Sequence, residues 1–331
     1  MKRILYFDNI KGVLILCVVL GHTLNLCSDY YGFNHNLFKL ITFFMMPAFL
    51  FVTGYFAKKS HKPPIVRAGK MFIIFIIAQT IITLYYTYVL GIVSPDKSPL
   101  IPRYTLWFLL TCGSLYLLEY LIRKFNFKTI FIISLSVALI SGFFAEINNF
   151  LSISRTITSL PMFILGYKAS EINLKDYINK YRKPAFILTI IIAIIFLFNM
   201  DFFLFKDIYL KYSYYIYDNP LEGFIKRILI YLVSAIFTIS FLNIVPKNKT
   251  IFTKLGSQTL IIYLTHGVIL KTLITLNLMP KNAIIGTIIT YAIALGISIL
   301  AAFTINKIKK IGGIINVKKC IFTKKGAVSE A

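Results

Sequence analysis

Apolar runs about twenty residues long, divided by short polar stretches, pattern this chain from one end to the other. A helix needs about 20 mostly apolar residues to cross a bilayer's hydrocarbon core. That ruler predicts ten spans, at 10–28, 36–57, 70–93, 104–122, 128–146, 157–171, 185–200, 223–244, 256–278 and 283–306. The sixth and seventh are the shortest. The predicted fold is therefore all-α, a polytopic integral membrane protein of about ten transmembrane helices. Its membrane domain covers 1–306 and a basic tail covers 307–331.

An even number of spans puts both termini on one side. Most of the 36 Lys and Arg fall on that same side, among them Lys58, Lys59, Lys62, Arg67, Lys70, Arg123, Lys124, Lys128, Lys180, Arg182 and Lys183. Cytoplasmic loops carry such an excess, so both termini are expected in the cytoplasm and the protein in the cell membrane. The tail, "NKIKKIGGIINVKKCIFTKKGAVSEA", reads as a basic extension against the anionic inner leaflet. Composition agrees, with 58% hydrophobic and only 15% charged residues, against ~45–50% and ~25% in soluble domains. A net charge of +24 is thereby explained by topology, and no nucleic-acid partner is expected. Lys2 and Arg3 before an apolar run have the look of a signal peptide. Asp8 and Lys11 interrupt it, and no small-x-small cleavage site follows, so a retained first span is expected. Cys17, Cys27, Cys112 and Cys320 have neither metal nor disulfide spacing and read as free thiols; no metal is expected.

Polar residues inside apolar spans carry the chemistry, because each is costly there. Lys11 and His22 lie eleven residues apart in "YFDNIKGVLILCVVLGHTLNL". Eleven steps of about 100° fall about 20° short of or past whole turns and climb about 16 Å. The two therefore share one helix face, the cation at the inner rim and the imidazole near the middle of the bilayer. His266, in "LGSQTLIIYLTHGVILK", is expected at a similar depth, with Tyr263 one turn before it. Two histidines at one depth point to a shared internal cavity; the plainer reading is a pair of helix-packing hydrogen-bond donors. His35 and His61 are expected in loops. Glu119 is the clearest acid within a span, near the inner end of the fourth.

Two loops have their own character. "KKSHKPPIVRAGK" gathers Lys58, Lys59, Lys62, Arg67 and Lys70 beside the inner mouth, either as inside anchoring or as a cradle for an anionic donor. The longest outer loop, 200–224, is dense in aromatics and holds Asp201, Asp207, Asp218 and Glu222. It reads as an interfacial aromatic belt, or as stacking faces and carboxylates for a sugar.

These residues resemble the membrane acyltransferase family 3, most closely its fucose 4-O-acetylase-like branch. The family's hallmark is a basic residue, ten intervening residues and a histidine in the first span. Here it reads "FDNIKGVLILCVVLGH", with Lys11 where Arg is common. "FFMMPAFLFVTGYF", "YTLWFLLTC", "SRTITSLPMFILGY" and "LGSQTLIIYLTH" follow in the family's order, and the likeness covers about residues 5 to 305.

The resemblance implies an enzyme moving an acyl group, usually acetyl, from cytosolic acyl-CoA to a hydroxyl of an envelope glycan or its lipid-linked precursor. Acetyl-CoA is then the donor, and the glycan and the bilayer are its partners. By position, His22 is the catalytic histidine and Lys11 its companion. Arg67 and Lys70, with Lys11, fall where basic residues meet CoA. Trp107, Arg155, Tyr263 and His266 carry over as lining residues for substrate. One departure is plain: many members have "W-S-L-x-x-E", but here Phe108 follows Trp107 and Cys112 stands at the Glu position. In the implied reaction His22 acts as general base or as a transient acyl carrier. The rival readings are an exporter of polysaccharide or lipid-linked sugar and, on composition alone, a small-molecule permease. Ion-driven transporters commonly carry several membrane carboxylates or broken helices, and this chain shows neither clearly.

Overall fold

The computed structural model describes residues 4–27, 33–92, 98–172, 174–198, 202–280 and 282–326. Lys2, Arg3, Asp201 and residues 327–331 lie outside the described residues, as do the side chains of Arg182 and Cys320. The described chain is all-α, without a strand. Its helices are α1 (Leu5–Cys27), α2 (Phe33–Lys59), α3 (Pro64–Leu84), α4 (Trp107–Ile122), α5 (Phe127–Ile140) and α6 (Ile153–Ala169), then α7 (Leu174–Phe198), α8 (Phe205–Ile208), α9 (Pro220–Ile244), α10 (Ile251–Gly256), α11 (Thr259–Thr275) and α12 (Ala283–Gly326). Five helices among the described residues are long and apolar enough to cross a membrane by themselves, in α1, α2, α3 with its π-helical turn at Tyr85–Val89, α9 and α12. All-round apolarity suits such helices, since lipid covers one side and neighbouring helices the other.

Several predicted boundaries move. α1 begins at Leu5 rather than residue 10, because Asp8 and Asn9 are buried within it. His22 accordingly lies about 25 Å along α1, well past its middle. His35 is not in a loop but in the first turn of α2. The ninth predicted span is broken at Ser257 and Gln258 into α10 and α11. The last span and the beginning of the basic tail form one helix, α12.

Asn9 holds the lysine-rich end together. Its amide donates to the carbonyls of Pro246 (2.7 Å) and Asn248 (2.6 Å). Its oxygen accepts from the hydroxyls of Thr253 (2.6 Å) and Thr250 (2.9 Å). All the groups of one buried side chain are thus met, which is what makes its burial tolerable. Two pairs of glycines let helices touch backbone to backbone. A Cβ on Gly54 of α2 would overlap the Phe163 carbonyl, and one on Gly166 of α6 the Phe51 carbonyl. Gly12 of α1 and Gly256 of α10 meet Phe252 and Asp8 in the same reciprocal way. Small residues at such seams are how helices pack in lipid, where association has no hydrophobic drive.

The aromatic connection before α9 is not a loose belt. Arg227 donates to the carbonyls of Ala138 (3.0 Å) and Tyr212 (2.8 Å) and lies over the Tyr214 ring. Lys226 pairs with Glu222 at 2.7 Å and lies over the Tyr217 ring. Thr158 of α6 donates to the Leu210 carbonyl at 3.2 Å, and Tyr231 of α9 to the Thr158 carbonyl at 2.8 Å. These bonds fold the segment back onto the helices.

Candidate active site

Between α1, α2, α4, α6, α9 and α11 lies a cavity of about 250 Å³. Its wall on α2 runs from Phe38 to Thr53, about 22 Å at helical rise, so the space is long. Most of that wall is apolar, including Met45, Met46, Pro47 and Leu50. A few polar groups break it, which is the usual make-up of a small-molecule site.

On α1 the wall is made by Ile15, Val18 and His22, the face predicted from the eleven-residue spacing. Lys11 continues that stripe one turn beyond Ile15 but does not itself line the cavity. Its ammonium pairs with Asp8 at 2.8 Å and sits 5.7 Å from the Phe56 ring centre. His22 packs against the Tyr104 ring at 5.1 Å and the His266 ring at 5.3 Å.

The segment before α4 is held by a buried amide. Gln79 of α3 donates to the carbonyls of Ile101 (2.8 Å) and Pro99 (3.2 Å) and accepts from the Arg103 N–H (2.9 Å). Tyr263 donates its hydroxyl to the Thr105 carbonyl from the other side. So clamped, Tyr104 takes a φ of 43°, costly for a bulky residue and characteristic of functional sites. Thr105 and Trp107 then face the cavity.

Arg155 enters from the first turn of α6. The turn before it is fixed by the Thr111–Ser152 hydroxyl contact at 3.0 Å and by the Leu151 N–H on the Leu100 carbonyl at 3.0 Å. The guanidinium stacks 4.3 Å over Trp107 and lies within electrostatic reach of His22, Tyr209 and Tyr263. It is 8% exposed and has no ion pair among the described residues. Of the other cations, buried Lys226 pairs with Glu222, and buried Arg227, also without an ion pair among the described residues, is met by two carbonyls and the Ser141 hydroxyl. Arg67 pairs with Glu119, which is 0% exposed and also holds Arg123. An uncompensated charge at membrane depth costs about 3 kcal/mol or more, so Arg155 marks a place where negative charge is to be met.

The remaining sequence-derived candidates divide. Trp107, Arg155 and Tyr263 line the cavity with His22. His266 does not: it is 0% exposed and stands behind His22, so it is corrected from a lining residue to a buried neighbour of one. Arg67 is committed to Glu119 and to the face of Tyr116 at 4.7 Å, and Lys70 is exposed on α3; neither reaches the cavity wall. Sequence reasoning missed Tyr104, Tyr209 and Leu210. The last two come from the aromatic connection before α9, and only its density of rings marked it. Cys112, at the position where a Glu was looked for, is on the wall and buried. Among the described residues no group of three or more His, Cys, Asp or Glu is gathered as a metal site.

A protein-family model described as an acyltransferase domain, that of acyltransferase family 3, matches residues 4–307. Neither a curated protein nor a solved structure matches the chain.

Proposed function

The chain belongs to acyltransferase family 3 and is a membrane acyltransferase, and from that premise we propose a specific reaction. It is an O-acyltransferase that moves an acetyl or other short acyl group from cytosolic acyl-CoA to a hydroxyl of a cell-envelope polysaccharide or lipid-linked sugar. It works in the cell membrane with both termini cytoplasmic, and it is nearest in kind to the fucose 4-O-acetylase-like branch. The observation that carries the reading is that His22 and Arg155, a buried cation with no ion pair among the described residues, open onto one long, largely apolar cavity.

Neutral His22 takes the proton of the acceptor hydroxyl as its oxygen attacks the thioester carbonyl. Negative charge gathers on the carbonyl oxygen, and Arg155 is the charge that meets it in a site of low dielectric. The intermediate collapses, the C–S bond breaks, and the proton passes from His22 to the departing thiolate. His22 as a transient acyl carrier is the covalent variant of the same route. The acyl-pantetheine arm threads from the lysine-rich end past Lys11, and the length of the cavity suits a slender chain. Lys70 and the neighbouring lysines attract the phosphates outside, while Arg67 acts through the Glu119 cluster that shapes the rim.

The test is direct. Isolated membranes given radiolabelled acetyl-CoA should transfer label to glycan with the intact protein and lose that transfer with His22→Ala. Undiminished transfer by the variant overturns the reading. Movement of unmodified glycan across vesicles without acyl-CoA would favour export instead.

A further inference from the structure

The Ile262 carbonyl can only accept, so the His266 Nδ1 that lies 3.0 Å from it carries a proton. In a neutral ring Nε2 is then a lone pair looking for a donor. That nitrogen is buried and has no partner among the described residues, on a side chain that is 0% exposed. An acceptor left unmet at such a position costs on the order of 1–3 kcal/mol. The Nδ1 bond closes within α11, one turn back, so it sets the tautomer of the ring without joining helices and leaves Nε2 as the side on which a partner is to be met.

The ring beside it is His22, with centroids 5.3 Å apart and planes at 37°. Two imidazoles meeting nitrogen to nitrogen at about 2.9 Å have centres about 5 Å apart. The centroid spacing therefore matches that of a nitrogen-to-nitrogen bond. Among the described residues no Asp or Glu lines the cavity, and Cys112 stands where the family resemblance looked for one.

We propose that His266 is the positioning residue for His22. Its Nε2 accepts the His22 ring N–H and so fixes which His22 nitrogen presents a lone pair to the cavity. The inference rests on His22 being the base of the reaction above. While His22 holds the hydroxyl proton, its positive charge is shared with the His266 lone pair, a role for which many active sites use a carboxylate. The proton itself returns to the thiolate through the same His22 nitrogen that received it. His266 touches neither donor nor acceptor, being closed off from the cavity.

The experiment uses the full chain in lipid nanodiscs, with acetyl-CoA turnover read against glycan-bearing membranes from cells lacking the protein. Nitrogen-15 histidine NMR reads the tautomer, and four histidines keep that spectrum assignable. His266→Leu should lower kcat at least ten-fold with the KM for acetyl-CoA within two-fold, and should turn the His22 signal from one tautomer into a mixture. His266→Gln, whose amide oxygen can accept in place of Nε2, should keep a single tautomer and recover a large part of kcat. A His266→Leu protein within two-fold of full kcat, or with an unchanged His22 tautomer, overturns the inference. Should the Leu protein not fold, a His266→Gln protein with a mixed tautomer overturns it and a single tautomer with retained turnover supports it. His22→Ala run alongside separates the two ideas. If it is fully active the base assignment fails; if it is dead while His266→Leu turns over normally, only the positioning role fails.

Discussion

Arg155 sets function against stability on a single side chain. It is buried, stacked on Trp107 and without a counter-charge among the described residues. Burying a charge without a partner is costly, so an apolar group of similar size in its place relieves that cost. Arg155→Met is therefore expected to cut acyl transfer at least about ten-fold, because the developing oxyanion loses its cation. Its thermal midpoint in detergent is expected to hold or rise. A fall in both together would mean that the guanidinium is a structural brace. Lys11 behaves differently: with Asp8 at 2.8 Å its charge is locally balanced. The alignment of Lys11, Ile15, Val18 and His22 could be read from spacing because helical periodicity is a local property. The burial of His266 behind His22 could not, because it depends on how α1 and α11 meet.

Among elements, the α2–α6 seam is the most exacting. Each helix offers a glycine to a carbonyl of the other. Gly54→Ala is expected to cost about 1–3 kcal/mol as the helices are pushed apart, measured by unfolding in detergent. Gly69→Ala is the control, since its new methyl meets nothing within 4 Å and a helix favours Ala over Gly. The connection before α9 yields a pH prediction. Burial raises the Asp207 carboxyl above the ordinary aspartate range, against the opposing hydrogen bonds from Tyr217 and the Leu204 N–H and the charge of Lys226; Glu222 adds to the rise. A raised folded-state value means that stability is full below the ordinary aspartate pKa and is lost as pH rises through the raised one. Resistance of residues 202–217 to limited proteolysis should accordingly decline over that interval. Asp207→Asn should flatten the profile, and an unaltered profile in that variant would remove Asp207 as its cause. None of this was visible in the sequence beyond a density of rings and acids. What folds the segment back is a set of distant partners, Ala138, Thr158 and Arg227 among them.

For the whole molecule, the apolar ruler predicted ten spans and an all-α fold; the fold is all-α, and five helices among the described residues are long and apolar enough to cross a membrane by themselves. The ruler erred at Leu5, His35 and the α10–α11 break, where protein packing and not lipid decides what a polar residue may do. The cavity lay beyond it altogether. Its walls combine helices far apart in sequence with residues Ile208, Tyr209 and Leu210 of an inter-helical connection. That mixed construction has a consequence for how such a catalyst can diversify. His22 stands on α1 and Arg155 on α6, and each of those helices is held to a neighbour by a reciprocal glycine seam, so a change there threatens the packing on which the site rests. Ile208, Tyr209 and Leu210 of the connection border the same chamber and belong to neither glycine seam, although Ile208 is buried and Thr158 holds the Leu210 carbonyl. If the proposed reaction holds, selectivity for a new acceptor is expected to change through this short stretch of chain while the helices carrying His22 and Arg155 stay as they are.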